Sequence, residues 1–83
     1  MGETMKNITR HTGKLEIVQR EKSSFFGNPR YLVIVDGYTA KTMPDSSLGY
    51  SITNFDGKVV TCEIGTHYGV RSIQNVKLVE KND

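Results

Sequence analysis

The side chains that could do chemistry in this chain are few, and the most conspicuous is Arg30. It stands between Pro29 and Tyr31, at the start of the apolar run Leu32-Val33-Ile34-Val35. Proline stiffens the backbone ahead of it, and an aimed guanidinium suits bidentate contact with phosphate or carboxylate. Asp45, Ser46 and Ser47 follow Pro44 at what reads as a short helical turn, where hydroxyls and free backbone N–H groups favour an anion. The same three residues also make an ordinary helix cap. Arg30 has a bland reading too, an ion pair with Asp45 or Asp56 that fastens the turn to the rest of the domain. Tyr31 and Tyr50 offer faces on which a base stacks, which completes a candidate ligand set of Arg30, Tyr31, Asp45, Ser46, Ser47 and Tyr50.

Other chemistries lack their parts. His11 and His67 are the two histidines and Cys62 is the single thiol. A zinc site normally takes at least three protein ligands, so neither a metal nor a cofactor is expected. Cys62 and His67 could meet across the last hairpin as a thiolate–imidazolium couple, but no acid or amide is placed to orient them. Gly-x-Ser-x-Gly, the Walker loop and Gly-x-Gly-x-x-Gly are all missing. Asp36, Asp45 and Asp56 fall at turns, where carboxylates cap backbone N–H groups. The expectation is a binding protein and not an enzyme.

The elements that must position these residues read as strands. Thr12 to Arg20 forms a first strand, and "EKSSFFGNP" a loop whose Phe25 and Phe26 fold back as a plug over the core or serve as a docking point. Arg30 to Val35 is the strongest strand, apolar on both parities and therefore central. Asp36-Gly37 is a hairpin signal, and Tyr38 to Met43 is the return strand. Pro44 to Gly49 opens a helical stretch of one or two turns, α or 3₁₀, with Leu48 and Ile52 anchored inward. Lys58 to Ile64 is a fourth strand, "GTHYG" a turn, and Val70 to Val79 a fifth strand bulged near Gln74-Asn75. This order predicts an all-β fold, a small five-stranded barrel of OB or SH3-like type with one helical turn between strands 3 and 4. Residues 1–12 read as a flexible lead-in, 13–79 as the single barrel domain and 80–83 as a loose end.

Bulk properties narrow the partners. The chain has 83 residues, 36% hydrophobic and 24% charged, which suits one small soluble domain. A core this small makes a homo-oligomer a natural supplement. No stretch approaches the roughly 20 apolar residues of a membrane helix, no secretory signal is visible, and a lone cysteine forms no internal disulfide, so a reducing cytoplasm is expected. Net charge is +2; residues 1–31 carry six Lys/Arg against three acids, and residues 32–83 five against six. That is mildly basic at one end and short of a nucleic-acid-binding stripe, so single-strand binding ranks second. Its candidate face holds Tyr31, Tyr38, Lys41, Lys58 and Arg71. Phe25, Phe26, Tyr38, Lys41 and Arg71 make up the candidate partner surface.

A pattern also runs through residues 27–54: Gly27-Asn28-Pro29-Arg30-Tyr31, Asp36-Gly37, Thr42, Asp45-Ser46, Gly49-Tyr50 and Asn54. It resembles small proteins from phages and prophages of actinobacteria, over roughly a third of the chain, with looser similarity through "GKVVTCEIG". The resemblance implies an accessory factor, acting in the cytoplasm of an infected bacterium, that binds and neutralises a host component. Some such factors bind nucleotide signals of host immunity, typically as oligomers. No catalytic residues come with it. The function expected is sequestration of a host-derived small anionic, nucleotide-like ligand. The alternatives are inhibition of a host protein through a sheet edge or the Phe25-Phe26 loop, and single-stranded nucleic-acid binding.

Overall fold

The computed structural model describes residues 4–23, 25 and 27–79. Strands β1 (Lys6–Glu21), β2 (Arg30–Val35), β3 (Tyr38–Thr42), β4 (Val59–His67) and β5 (Val70–Leu78) close into a ring in the order β1-β2-β3-β5-β4, with β4 returning to β1. Neighbours are antiparallel except β3 and β5, which run parallel with Lys41 opposite Ser72 and Thr42 opposite Ile73. No helix among the described residues is long and apolar enough to cross a membrane.

A ring this small closes when its longest strand bends. β1 pairs with β4 through Lys6–Lys14 and with β2 from Leu15 onward. Its register slips between Lys6 and Thr9 and again between Ile17 and Gln19, and Asn7 takes a φ of 54°. Each extra residue bends and twists the strand, so one element serves two walls. The turn ahead of β4 secures the handover. Gly57 N–H donates to Leu15 O at 2.7 Å, Leu15 N–H donates to Lys58 O at 2.9 Å, and Asp56 Oδ1 accepts from Ile17 N–H at 3.0 Å.

Several sequence expectations change here. Residues 6–12, read as lead-in, are the first half of β1. Their strand signal is hidden because the Asn7 bulge shifts the parity and Arg10, Thr12 and Lys14 face solvent. Residues 1–3 and the expected loose end 80–83 lie outside the described residues, as does Phe26. β4 continues through Gly65 to His67, and the turn shrinks to Tyr68-Gly69. Gly65 marks a close approach instead of a turn: a Cβ there would sit 2.5 Å from Lys6 O and 3.0 Å from Met5 Sδ. Asp36-Gly37 forms its hairpin with φ of 51° and 81°, and β5 bulges at Asn75, φ 53°, where its register with β4 slips.

The short helical stretch expected between β3 and β4 is two 3₁₀ turns, Ser47–Tyr50 and Ile52–Phe55. Serine, glycine, threonine and asparagine are weak helix formers, and the chain tightens its turns instead of extending one α-helix. Pro44 does not open the first turn; it sits in the bend ahead, and Ser46 is the cap, its Oγ accepting from Leu48 N–H at 3.1 Å. Ile52 is fully buried and Leu48 packs beside it. Ile52 therefore closes one end of a core of Leu15, Val33, Val35, Ala40, Val60, Cys62, Ile64 and Ile73, a burial that stabilises by about 2 kcal/mol. Phe25 is no plug. It is 99% exposed.

Candidate functional site

Two clusters gather most of the residues singled out above. The first joins the loop before β2 to the segment after β3. Arg30 Nε donates to Thr42 O at 3.0 Å, and Thr42 Oγ1 accepts from Tyr31 N–H at 3.0 Å. Asn28 Nδ2 donates to Pro44 O at 2.9 Å, and Tyr50 Oη donates to Gly27 O at 3.2 Å. Gly49 is buried against this loop, where a Cβ would land on the carbonyl oxygen of Pro29. Gly27, Asn28, Pro29, Arg30, Thr42, Pro44, Gly49 and Tyr50 thus form one latch. Much of the pattern running through residues 27–54 is this latch.

Neither carboxylate expected to hold Arg30 does so. Asp56 bonds the β1 backbone, and the Arg30 head reaches a carbonyl at the end of the neighbouring strand. The reason is register. Arg30 lies opposite Glu21 at the entrance of β2, beside the last residue of β3, while Asp56 belongs to the turn that serves β1. Tyr31 turns toward the core, with the Arg20 guanidinium 5.9 Å from its ring centre. Ser46 uses its hydroxyl as a cap, whereas Asp45 and Ser47 are exposed on the rims of two adjoining clefts.

The second cluster lies at the opposite ends of β3 and β5 from the latch. Tyr38 opens β3 and Arg71 is the second residue of β5. The two strands are parallel, so their beginnings share one end of the ring. The Arg71 guanidinium sits 5.5 Å from the Tyr38 ring centre, and the His11 ring packs on Tyr38 with centroids 4.3 Å apart, tilted by 43°. A 2.6 Å hydrogen bond links His11 Nε2 to Thr9 Oγ1. Tyr38 remains 42% exposed. This is an aromatic–cation cluster at the mouth of the ring, and Arg71 also lines a small cleft with Asn7, Thr9 and Thr66.

Remaining candidates are dispersed. Lys41 is held by Glu21 at 2.8 Å, and this contact, with a Gln19 hydrogen bond, keeps the Glu21 carboxyl below its ordinary pKa. Glu63 accepts from Gln74 Nε2 at 2.9 Å and Asn75 Nδ2 at 2.7 Å, which lowers its pKa in the same way, with Arg10 and Lys77 adding their charge. Cys62 and His67 do not meet. An odd separation on one regular strand turns them to opposite faces, and burial, with the Glu63 charge, pushes the Cys62 thiol up to about 11. Among the described residues no three of His, Cys, Asp and Glu come together as metal ligands.

Sequence reasoning placed Tyr38 and Arg71 on a shared surface but missed His11, whose strand was hidden by the bulge. One signal was available: Tyr38 and Arg71 each follow a two-residue turn closely, and adjacent parallel strands that start together present their first residues together. No protein-family model matches the chain, and no curated protein or solved structure matches it either.

Proposed function

We propose that this chain is a non-enzymatic binding module for a small anionic, nucleotide-like ligand, taken at the His11–Tyr38–Arg71 mouth. The observation that carries the reading is the Arg71 guanidinium held over the Tyr38 ring with His11 stacked on the same tyrosine. A planar base adds to such a stack, typically for about 1–3 kcal/mol per base, while guanidinium N–H groups take phosphate oxygens as charge-assisted pairs. Both groups are already ordered, which lowers the entropy cost of binding.

The ring order supports the same reading by analogy. Strand β3 beside β5, parallel, with β4 closing on β1, is the arrangement of an OB-type barrel, a fold that takes oligonucleotides on its strand 2–3 face and neighbouring loops. Tyr38 lies on β3 beside the β2–β3 turn and Arg71 beside the β4–β5 turn. The mechanism is sequestration: the ligand is held, its free concentration falls, and no bond is broken. The resemblance of residues 27–54 to small phage proteins supports a host component as the target, in the cytoplasm of an infected bacterium.

A thermal-shift screen with mononucleotides, cyclic dinucleotides and a short single-stranded oligonucleotide tests the reading. Ligand at 100-fold over Kd stabilises by about 2.7 kcal/mol. Stabilisation by a nucleotide that vanishes in Arg71→Ala supports the proposal, and no response to any of the three sinks it. Response to the oligonucleotide alone, with steep loss as salt rises, reassigns the site to single strands.

One observation favours a second reading. Phe25 is 99% exposed on the β1–β2 loop, as an aromatic anchor for a protein partner would be. In that reading the chain inhibits a host protein, and Phe25→Ala abolishes capture of that protein while leaving nucleotide response intact.

A further inference from the structure

The N-terminal segment does more than begin a strand. Met5 packs against β4 at Gly65, where the absence of a side chain makes room for it. Between this segment, the residues after β3 and the end of β4 lies a cleft of about 350 Å³, lined by Met5, Ile8, Met43, Asp45, His67 and Gln74 among others. It borders the latch through Met43 and Asp45, the neighbours of Pro44.

His67 sets this cleft apart. It is 4% exposed, and its imidazole makes no hydrogen bond to any described residue. No buried side-chain nitrogen or oxygen among the described residues is left unpartnered, so the His67 ring nitrogens keep contact with the cleft. Its ring packs edge-on against Tyr68, with centroids 4.6 Å apart, which fixes its plane. An imidazole whose ring nitrogens border a cleft can offer a lone pair to an ion bound there.

The rest of the lining says which partner. Met5 and Met43 bring thioether sulfurs, Asp45 a carboxylate and Gln74 a carboxamide oxygen, its amide nitrogen being occupied by Glu63. Among the described residues no lysine or arginine lines the cleft. The heteroatoms are overwhelmingly Lewis bases, so the occupant is an acceptor of electron pairs and not an anion. Thioether and imidazole together select a soft monovalent ion over calcium or magnesium, which take oxygen ligands.

We propose that this cleft binds Cu(I), with His67, Met5 and Met43 as ligands and Asp45 supplying compensating charge. Binding is a simple association: the ion enters as Cu(I), leaves as Cu(I), and displaces only solvent. The proposal is independent of the nucleotide reading, because none of its residues is His11, Tyr38 or Arg71.

Ag(I), an air-stable soft monovalent ion, is the probe. The experiment uses the full chain in a Cys62→Ala background, which removes the competing thiol. One equivalent of Ag(I) should perturb the His67 ring resonances in NMR and leave those of His11 in place. Met5→Leu/Met43→Leu conserves volume, keeps the fold by circular dichroism, and should weaken Ag(I) binding by about tenfold or more, since even outer-shell changes cost metal sites that much. Cu(I) held by a chromophoric chelator should then be drawn off by the parent chain and not by the double variant. Unmoved His67 resonances, or equal affinity in the folded double variant, would overturn the proposal. An Ag(I) response that survives His67→Ala would overturn it as well.

Discussion

The latch and the mouth use similar side chains in opposite ways. At the latch, Arg30, Asn28 and Tyr50 each donate to a backbone carbonyl of another segment, and Gly49 leaves no space between them. At the mouth, the Arg71 guanidinium sits over the Tyr38 ring and the His11 ring packs on the same tyrosine at a 43° tilt, its Nε2 bonded to Thr9 Oγ1. Polar groups that answer backbone carbonyls close a fold, because an unmet carbonyl is costly once buried. Polar groups packed on a partly exposed ring tie no segment to another, which is why the proposed ligand site is placed there. An arginine after a proline draws the eye in the sequence, yet the inconspicuous arginine near the Tyr68-Gly69 turn stands where a ligand can reach it.

The largest predicted effect breaks the latch by packing. Gly49→Ala forces a methyl group onto the Pro29 carbonyl, and urea denaturation should show a loss of about 3 kcal/mol. An unchanged midpoint would mean the loop does not rest on the 3₁₀ turn as described. Next comes the paired test of the two arginines. Arg30→Ala removes the donor to Thr42 O and should cost about 1 kcal/mol, whereas Arg71→Ala, at an exposed rim, should stay within about 0.5 kcal/mol of the parent. Equal losses would erase the distinction between the regions.

How much of this was open to inspection in the sequence can be argued residue by residue. β2 and its Asp36-Gly37 hairpin were legible because apolar alternation and a positive-φ turn are local signals. The bulge at Gln74-Asn75 was legible because two amides interrupt an apolar run. The first half of β1 was not, since a bulge inverts parity and a solvent-facing row carries no apolar signature. The latch joins residues 27–30 to residues 42–50 through side chains and carbonyls, and spacing does not reveal which carbonyl a donor meets. At the mouth, the partnership of His11 with Tyr38 follows from ring closure, which makes strands from both ends of the chain neighbours. The second role of the Asp45-Ser46-Ser47 stretch was half legible: Ser46 does cap a turn, as such residues commonly do.

Smaller effects sharpen the comparison further. Tyr50→Phe deletes one exposed hydrogen bond to Gly27 O and should cost about 0.5 kcal/mol by chemical denaturation. A loss as large as that of Gly49→Ala would make the tyrosine, and not the glycine contact, the centre of the latch. The smallest effect is in pH. Glu21 faces Arg30 in register and is held below its unfolded pKa of 4.5, chiefly by the Lys41 hydrogen bond. Its contribution is therefore present above 4.5 and lost as pH falls through the lower folded value. Lys41→Gln should flatten stability between pH 5 and pH 3 relative to the parent, by roughly the part that Glu21 supplies, while Arg71→Ala leaves the slope alone. A slope altered by Arg71→Ala instead would couple the mouth to the acid-sensitive side of the ring.

The most direct measurement is calorimetric titration of the nucleotide that gives the greatest thermal shift into three proteins: the parent, Arg71→Ala and Arg30→Ala. The account predicts at least a tenfold loss of affinity, about 1.4 kcal/mol, in folded Arg71→Ala and near-parental affinity in folded Arg30→Ala. Loss confined to Arg30→Ala, with Arg71→Ala binding as the parent does, would contradict it and place the ligand at the latch.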